Sequence, residues 1–168
     1  MKILLIRHGT AEDRGTFEWS AKKDAARALT QSGRRDMRKA AKGLRKVAPD
    51  IDVLATSPLV RARETAEIVG KVFGVDDLAE QPLLAPGGDA DALLTWLHTQ
   101  PTDAAVALVG HEPDLSRFAG FLLARAHASF VALKKGGSAL IEFDDTPAAG
   151  RGVLAWLLQP GHLRKLSG

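Results

Sequence analysis

Met1-Lys2-Ile3-Leu4-Leu5-Ile6-Arg7-His8-Gly9-Thr10 opens the chain and decides how the rest is read. Ile3, Leu4, Leu5 and Ile6 form an unbroken apolar run. It is too short for a buried helix and suits a strand covered on both faces. The run stops abruptly at Arg7-His8-Gly9. Open α/β sheets bind ligands beyond the carboxyl ends of their strands, so these three residues stand where chemistry is expected. Arg7 offers a forked donor suited to phosphate oxygens. His8 is a nucleophile or base near neutral pH. Gly9 lets the backbone turn sharply or approach a ligand closely. A solvated arginine and a hydrogen-bonded histidine would account for the same triplet, so three residues alone do not choose.

Two further apolar runs end in similar punctuation. Residues 51–56 predict a strand that stops at Ser57-Pro58, with Arg61 just beyond. Pro58 is expected to open a helix over 59–73, because its missing N–H costs nothing there. Residues 104–109 predict a third strand, stopping at Gly110-His111-Glu112-Pro113, with a helix over 114–124. Between these, residues 10–29 read as a long loop with a short helix near 20–28, the kind of loop that forms a wall or lid. Thr30 is the expected N-cap. Met37, Ala40, Ala41, Leu44 and Val47 then fall on one face of a helix over 34–47. Its opposite face carries Arg34, Arg35, Arg38, Lys39, Lys42, Arg45 and Lys46, a solvated face or a docking surface for an acidic partner.

A short strand within 75–81, a loop at 86–89 and a helix over 90–98 capped by Asp89 complete the middle of the chain. Residues 138–143 and 153–158 pair as a hairpin, and 159–168 read as a tail. Strand and helix alternate throughout. The expected fold is α/β, three-layered, with a mostly parallel central sheet, helices on both faces and a C-terminal hairpin. Length suits a single domain over 1–168.

Composition removes several classes of function. Cysteine is absent, which excludes disulfides, thiolate catalysis and cysteine-based metal centres. Net charge is only +3, from 23 Lys+Arg against 20 Asp+Glu. That does not call for nucleic acid. Tyr is absent and aromatics are 5%, so stacking platforms for single strands are not expected. No two histidines have ligand-like spacing, so no metal and no cofactor is expected. The apolar stretch before Arg7 is shorter than a signal-peptide core, and no run approaches a membrane span. A soluble, cytoplasmic protein without a membrane partner is expected.

In a parallel sheet the three strand ends share one edge. Arg7, His8, Arg61 and His111 then converge although far apart in sequence. Two imidazoles and two guanidiniums are the groups a metal-free phosphoryl-transfer site needs. One neutral imidazole attacks phosphorus, and the others neutralise charge on the equatorial oxygens. Because the attacking imidazole must be unprotonated, an ordinary histidine pKa predicts loss of activity below about pH 6.

These three segments together resemble the histidine phosphatase superfamily, the phosphoglycerate-mutase-like fold. Arg7-His8-Gly9 is similar to its signature, in which the histidine becomes phosphorylated. Ser57-Pro58-Leu59-Val60-Arg61-Ala62-Arg63-Glu64-Thr65-Ala66 is similar to its second phosphate-binding segment, and Val109-Gly110-His111-Glu112-Pro113 to the segment carrying the second histidine. Within the superfamily the chain most resembles the small SixA-type phosphohistidine phosphatases. The segments Arg27-Ala28-Leu29-Thr30, Leu84-Ala85-Pro86-Gly87-Gly88-Asp89 and Trp156-Leu157-Leu158-Gln159-Pro160 carry that likeness.

The resemblance implies removal of phosphate from a phosphohistidine-bearing protein, with Arg7, His8, Arg61 and His111 catalytic. Gly9, Arg27 and Glu112 are candidate phosphate- or substrate-binding residues. Glu112 is also a candidate general acid or water activator, against its plain role as an acid at a helix start. A small phosphate ester processed by the same fold, and a non-catalytic phosphoprotein-binding module, are the alternatives.

Overall fold

The computed structural model describes residues 1–13 and 21–168. Chain order is β1 (Lys2–Arg7), α1 (Ala21–Ala25), α2 (Gln31–Leu44), β2 (Val53–Thr56), α3 (Val60–Phe73) and β3 (Leu78–Glu80). A single 3-10 turn (Pro82–Leu84), α4 (Ala90–Leu97), β4 (Ala105–Gly110) and α5 (Asp114–Ala124) follow. β5 (Ser138–Glu142), β6 (Val153–Leu158) and α6 (Pro160–Leu166) close the chain.

The six strands form one sheet in the order β3-β2-β4-β1-β5-β6. β1, β2, β3 and β4 are mutually parallel where they pair, whereas β5 runs antiparallel to β1, and β6 to β5. β1 lies inside the sheet, and alternate residues feed opposite cores. Ile3 and Leu5 pack with Val106, Leu108, Leu97, Phe118 and Leu122 on one face. Leu4 and Ile6 pack with Val109, Met37, Leu44, Val69 and Leu163 on the other. Burial on both faces is why this strand is apolar without alternation. The α/β expectation of a mostly parallel sheet covered on both faces, with a C-terminal hairpin, is borne out.

Three local expectations need correction. The helix read over 34–47 begins at Gln31 and ends at Leu44, leaving Val47 exposed. Thr30 does cap it, its Oγ1 accepting from Gly33 N at 2.9 Å. Pro58 does not start α3: the N-cap is Leu59, whose N–H donates to Ser57 Oγ at 3.3 Å. Residues 159–168 are no simple tail. Pro160 opens α6, whose Leu163 is fully buried against α2. Gly43 permits that contact, since a Cβ there would lie 1.8 Å from the Leu163 carbonyl oxygen. The short helix expected near 20–28 is α1, with part of that span outside the described residues. No helix among the described residues is long and apolar enough to cross a membrane.

Candidate active site

Strand register brings the site together. Arg7 pairs with Gly110, so His8 and His111 leave the adjacent parallel strands β1 and β4 at the same level. On the far side of β4, Thr56 pairs with Val109, which sets Ser57 beside His111. Arg61 follows in the first turn of α3. Gly136, at φ 79°, closes the end of β1 by donating its N–H to the carbonyls of Arg7 and His8, both at 3.1 Å. A left-handed backbone of this kind suits glycine.

The His8 and His111 rings lie 4.9 Å apart, centroid to centroid, tilted by 55°. Both are buried, at 7% and 3% exposure. His8 Nδ1 lies 2.7 Å from the Gly9 carbonyl oxygen. A carbonyl only accepts, so Nδ1 carries the hydrogen and Nε2 keeps its lone pair. Burial lowers the His8 pKa to about 4; the Gly9 hydrogen bond opposes this, and the charges of Arg61, Arg7 and Lys135 reinforce it. Burial, followed by His8 and Arg61, lowers His111 to about 3. Both imidazoles are therefore neutral at physiological pH.

Arg7 Nη1 donates to the Leu133 carbonyl at 2.6 Å, while its buried Nε has no hydrogen-bond partner among the described residues. Burial lowers its pKa, and the nearby Glu112 carboxylate opposes the shift. Arg61 is 3% exposed. Its Nη1 donates to the Asp24 carbonyl at 2.7 Å and its Nη2 to Asp24 Oδ2 at 3.1 Å. Asp24 Oδ1 accepts from Arg27 Nε at 3.0 Å and lies 2.9 Å from Arg27 Nη2. Burial pushes the Asp24 carboxyl up, but Arg61 and Arg27 outweigh it and hold the group below the usual carboxylate range.

Arg7, His8, Arg27, Arg61, His111 and Glu112 all line one cleft of about 480 Å³. Gly9 acts behind His8 instead: its N–H donates to Thr65 Oγ1 at 3.0 Å while its carbonyl holds Nδ1. Both of its polar groups are thus committed to fixing the loop that carries His8. Glu112 reaches the cleft wall, but its Oε1 accepts from Ser116 Oγ at 2.6 Å and Leu133 N at 3.2 Å. It braces the strap that carries the Leu133 carbonyl, and so braces Arg7.

With this geometry in view, the comparisons are specific. The model of the histidine phosphatase superfamily (branch 1) matches residues 3–85. An uncharacterized protein of Picosynechococcus is 34% identical over 143 residues, covering 82% of each chain. The chain belongs to the histidine phosphatase superfamily. The phosphohistidine phosphatase SixA of Escherichia coli is 27% identical over 169 residues, covering 98% of this chain and 97% of its own. The structure of the protein histidine phosphatase SixA complexed with tungstate superposes with a TM-score of 0.82 at 24% identity, covering 97% of this chain and 99% of that one. It shows the same fold.

Sequence reading of this superfamily member missed several site residues. Asp24 left one clue, its position three residues before Arg27 in a short helical segment. Lys135 lines the cleft and bears on His8, yet left no local clue. It reaches the site because β5, antiparallel to β1, begins where β1 ends. Ser57 and Thr65 lie in a quoted segment, but their contacts with His111 and Gly9 depend on strand register.

Proposed function

We propose that the protein is a metal-independent phosphohistidine phosphatase that removes the phosphoryl group from a phosphohistidine-bearing protein, such as a phosphotransfer domain, through a phosphohistidine on His8. The observation that carries this reading is the pair of buried, neutral imidazoles 4.9 Å apart, set between Arg7 and Arg61. The similarity to SixA of Escherichia coli supports the same choice.

In the first step His8 Nε2 attacks phosphorus in line. The bond from phosphorus to Nε2 forms, and the bond from phosphorus to the substrate nitrogen breaks. Arg7, Arg61 and His111 hold the equatorial oxygens. The phosphorylated His8 ring, still protonated at Nδ1, becomes cationic, and the Gly9 carbonyl accepts from that N–H. In the second step water attacks phosphorus, the bond to Nε2 breaks, and the water protons leave on dihydrogen phosphate. Neutral His8 is restored without an outside proton.

A substrate phosphohistidine that carries a hydrogen on its other nitrogen leaves as neutral imidazole and needs no acid. An alkoxide leaving group does need one. Asp24 and Glu112, the carboxylates that touch the cluster, are both engaged as acceptors. That fits a phosphoramidate, whereas an ester would have to draw its acid from elsewhere in the cleft, at Glu12 or Asp13. Arg27 and Lys135 at the mouth are substrate contacts in this reading. The cytoplasm is the setting we assign, since a chain without cysteine suits a reducing compartment.

A second reading, a phosphatase for a small phosphate ester, draws on another observation. A cavity of about 310 Å³ shares His111 and Asp114 with the cleft and offers room for a metabolite. Phosphate release from a phosphohistidine-bearing phosphotransfer domain, measured beside a panel of monoesters that includes phosphoglycerates, separates the two. Preference for the phosphohistidine protein, lost in His8→Ala, is the expected result. Preference for one monoester would reverse the assignment and direct attention to Glu12 and Asp13, the exposed carboxylates of the cleft. No release from any of them would leave a non-catalytic binding module.

A further inference from the structure

Ser57 is fully buried at the end of β2, and its Oγ lies 2.8 Å from His111 Nε2. The same oxygen accepts from Leu59 N at 3.3 Å. A serine hydroxyl has one hydrogen to give. The Leu59 N–H is a donor and cannot take it. Among the hydrogen-bond contacts of Ser57 Oγ in the described residues, His111 Nε2 is then the one able to accept. An Nε2 that accepts is unprotonated, and a neutral imidazole with a bare Nε2 carries its hydrogen on Nδ1. That Nδ1 is buried and has no hydrogen-bond partner among the described residues. A buried donor left in this state costs free energy unless something comes to accept from it.

From these contacts we infer that Ser57 is a positioning residue that fixes His111 as its Nδ1–H tautomer, so that the ring meets the phosphoryl group as a neutral hydrogen-bond donor. The inference deepens the phosphatase reading and rests on it for the place of the phosphoryl group. Opposite neighbours make the two histidines complementary. The Gly9 carbonyl accepts from His8 Nδ1 and leaves Nε2 bare to attack. The Ser57 hydroxyl donates to His111 Nε2 and leaves the Nδ1–H unspent for a phosphoryl oxygen. With the opposite tautomer, His111 would turn a lone pair on Nδ1 toward an anion.

Two measurements on the full chain test this. Long-range proton–nitrogen NMR of the nitrogen-15-labelled protein, without substrate, distinguishes protonated from bare ring nitrogens. The expected spectrum has His111 protonated at Nδ1 and bare at Nε2 at neutral pH. Ser57→Thr, which keeps the hydroxyl, is expected to retain that pattern, and Ser57→Ala to mix the tautomers. Calorimetric binding of inorganic phosphate is expected to weaken about tenfold in Ser57→Ala, as for loss of one hydrogen bond to a charged group, and to recover in Ser57→Thr. A wild-type His111 protonated at Nε2 would overturn the inference outright. So would a Ser57→Ala tautomer unchanged from wild type. Should Ser57→Ala not fold, the wild-type and Ser57→Thr spectra still decide. Since the spectra need no turnover, an Nδ1–H tautomer in a protein that hydrolyses nothing supports the role of Ser57 and sinks the phosphatase reading.

Discussion

His8 and His111 face each other at 4.9 Å in a pocket that holds both rings neutral. The charges that bear most on His8 are the cations of Arg61, Arg7 and Lys135, and at His111 the Asp24 carboxylate only partly offsets burial, His8 and Arg61. A cationic imidazole is disfavoured in that field, and an anion entering the cleft is favoured. The site is set for a substrate that brings its own negative charge.

The acid limit expected from an ordinary histidine, near pH 6, therefore moves. With the His8 pKa lowered to about 4, its ring stays unprotonated through pH 5. An NMR titration of the free protein should show no His8 inflection between pH 7 and 5; an inflection near 6.5 would contradict the burial argument. Stability changes in the opposite sense. Between pH 6.5 and 4 the unfolded chain binds protons at His8 that the folded chain does not, so stability falls as pH drops through that window. Above 6.5 the group contributes no pH dependence. The loss from His8 is on the order of 3 kcal/mol once pH is below 4. Urea midpoints from pH 7 to 4 should fall less in His8→Asn than in wild type.

Asp24 joins the two arginines of the cleft that α1 can reach. Its backbone and carboxylate take Arg61, and its Oδ1 takes Arg27. Asp24→Ala strips a carboxylate from a guanidinium that is 3% exposed. Breaking a buried pair on one side costs about 3–5 kcal/mol. The side-chain part of that loss should appear in chemical denaturation, and kcat/KM should fall by about tenfold or more as Arg61 loses its alignment. A variant with unchanged stability and turnover would remove Asp24 from the machinery.

Thr65 connects the loop that carries His8 to α3. Its Oγ1 accepts from Gly9 N at 3.0 Å and donates to the Arg61 carbonyl at 2.7 Å. Thr65→Val keeps the shape but leaves the Gly9 N–H unpaired, at a cost of about 1–3 kcal/mol. Because the Gly9 carbonyl sets the His8 tautomer, kcat should fall more than KM rises. Thr65→Ser should restore both rates and stability. A Val variant with wild-type kcat would show that Gly9 holds His8 without this tether.

The sheet and the core of the site were legible because they are written in contiguous signals. Apolar runs end in Arg7-His8-Gly9, in Ser57-Pro58 before Arg61, and in Gly110-His111-Glu112, and parallel topology brings those ends to one edge. What escaped depends on packing between distant segments. Lys135 reaches His8 through antiparallel pairing of β5 with β1. Asp24 acts through side chains from α3 and from beyond α1. The α6 helix carries only Leu163 and Leu166 as large apolar residues over seven positions, too few to display a period, and Pro160-Gly161 reads locally as a turn. Its helix is stabilised by the fit of Leu163 against Gly43, a contact no local pattern records. Glu112 could be placed at the cleft but not assigned, since its engagement with Ser116 and Leu133 is a tertiary feature.

The central claim is that His8 Nε2 carries the phosphoryl group. Phosphohistidine substrate labelled on phosphorus, mixed with excess enzyme and quenched rapidly in alkali, tests it most directly. The expected result is enzyme-bound label that is stable to alkali, labile to acid, maps to His8, and is absent from His8→Ala. Turnover by His8→Ala at the wild-type rate, or label on any other residue, would contradict the account.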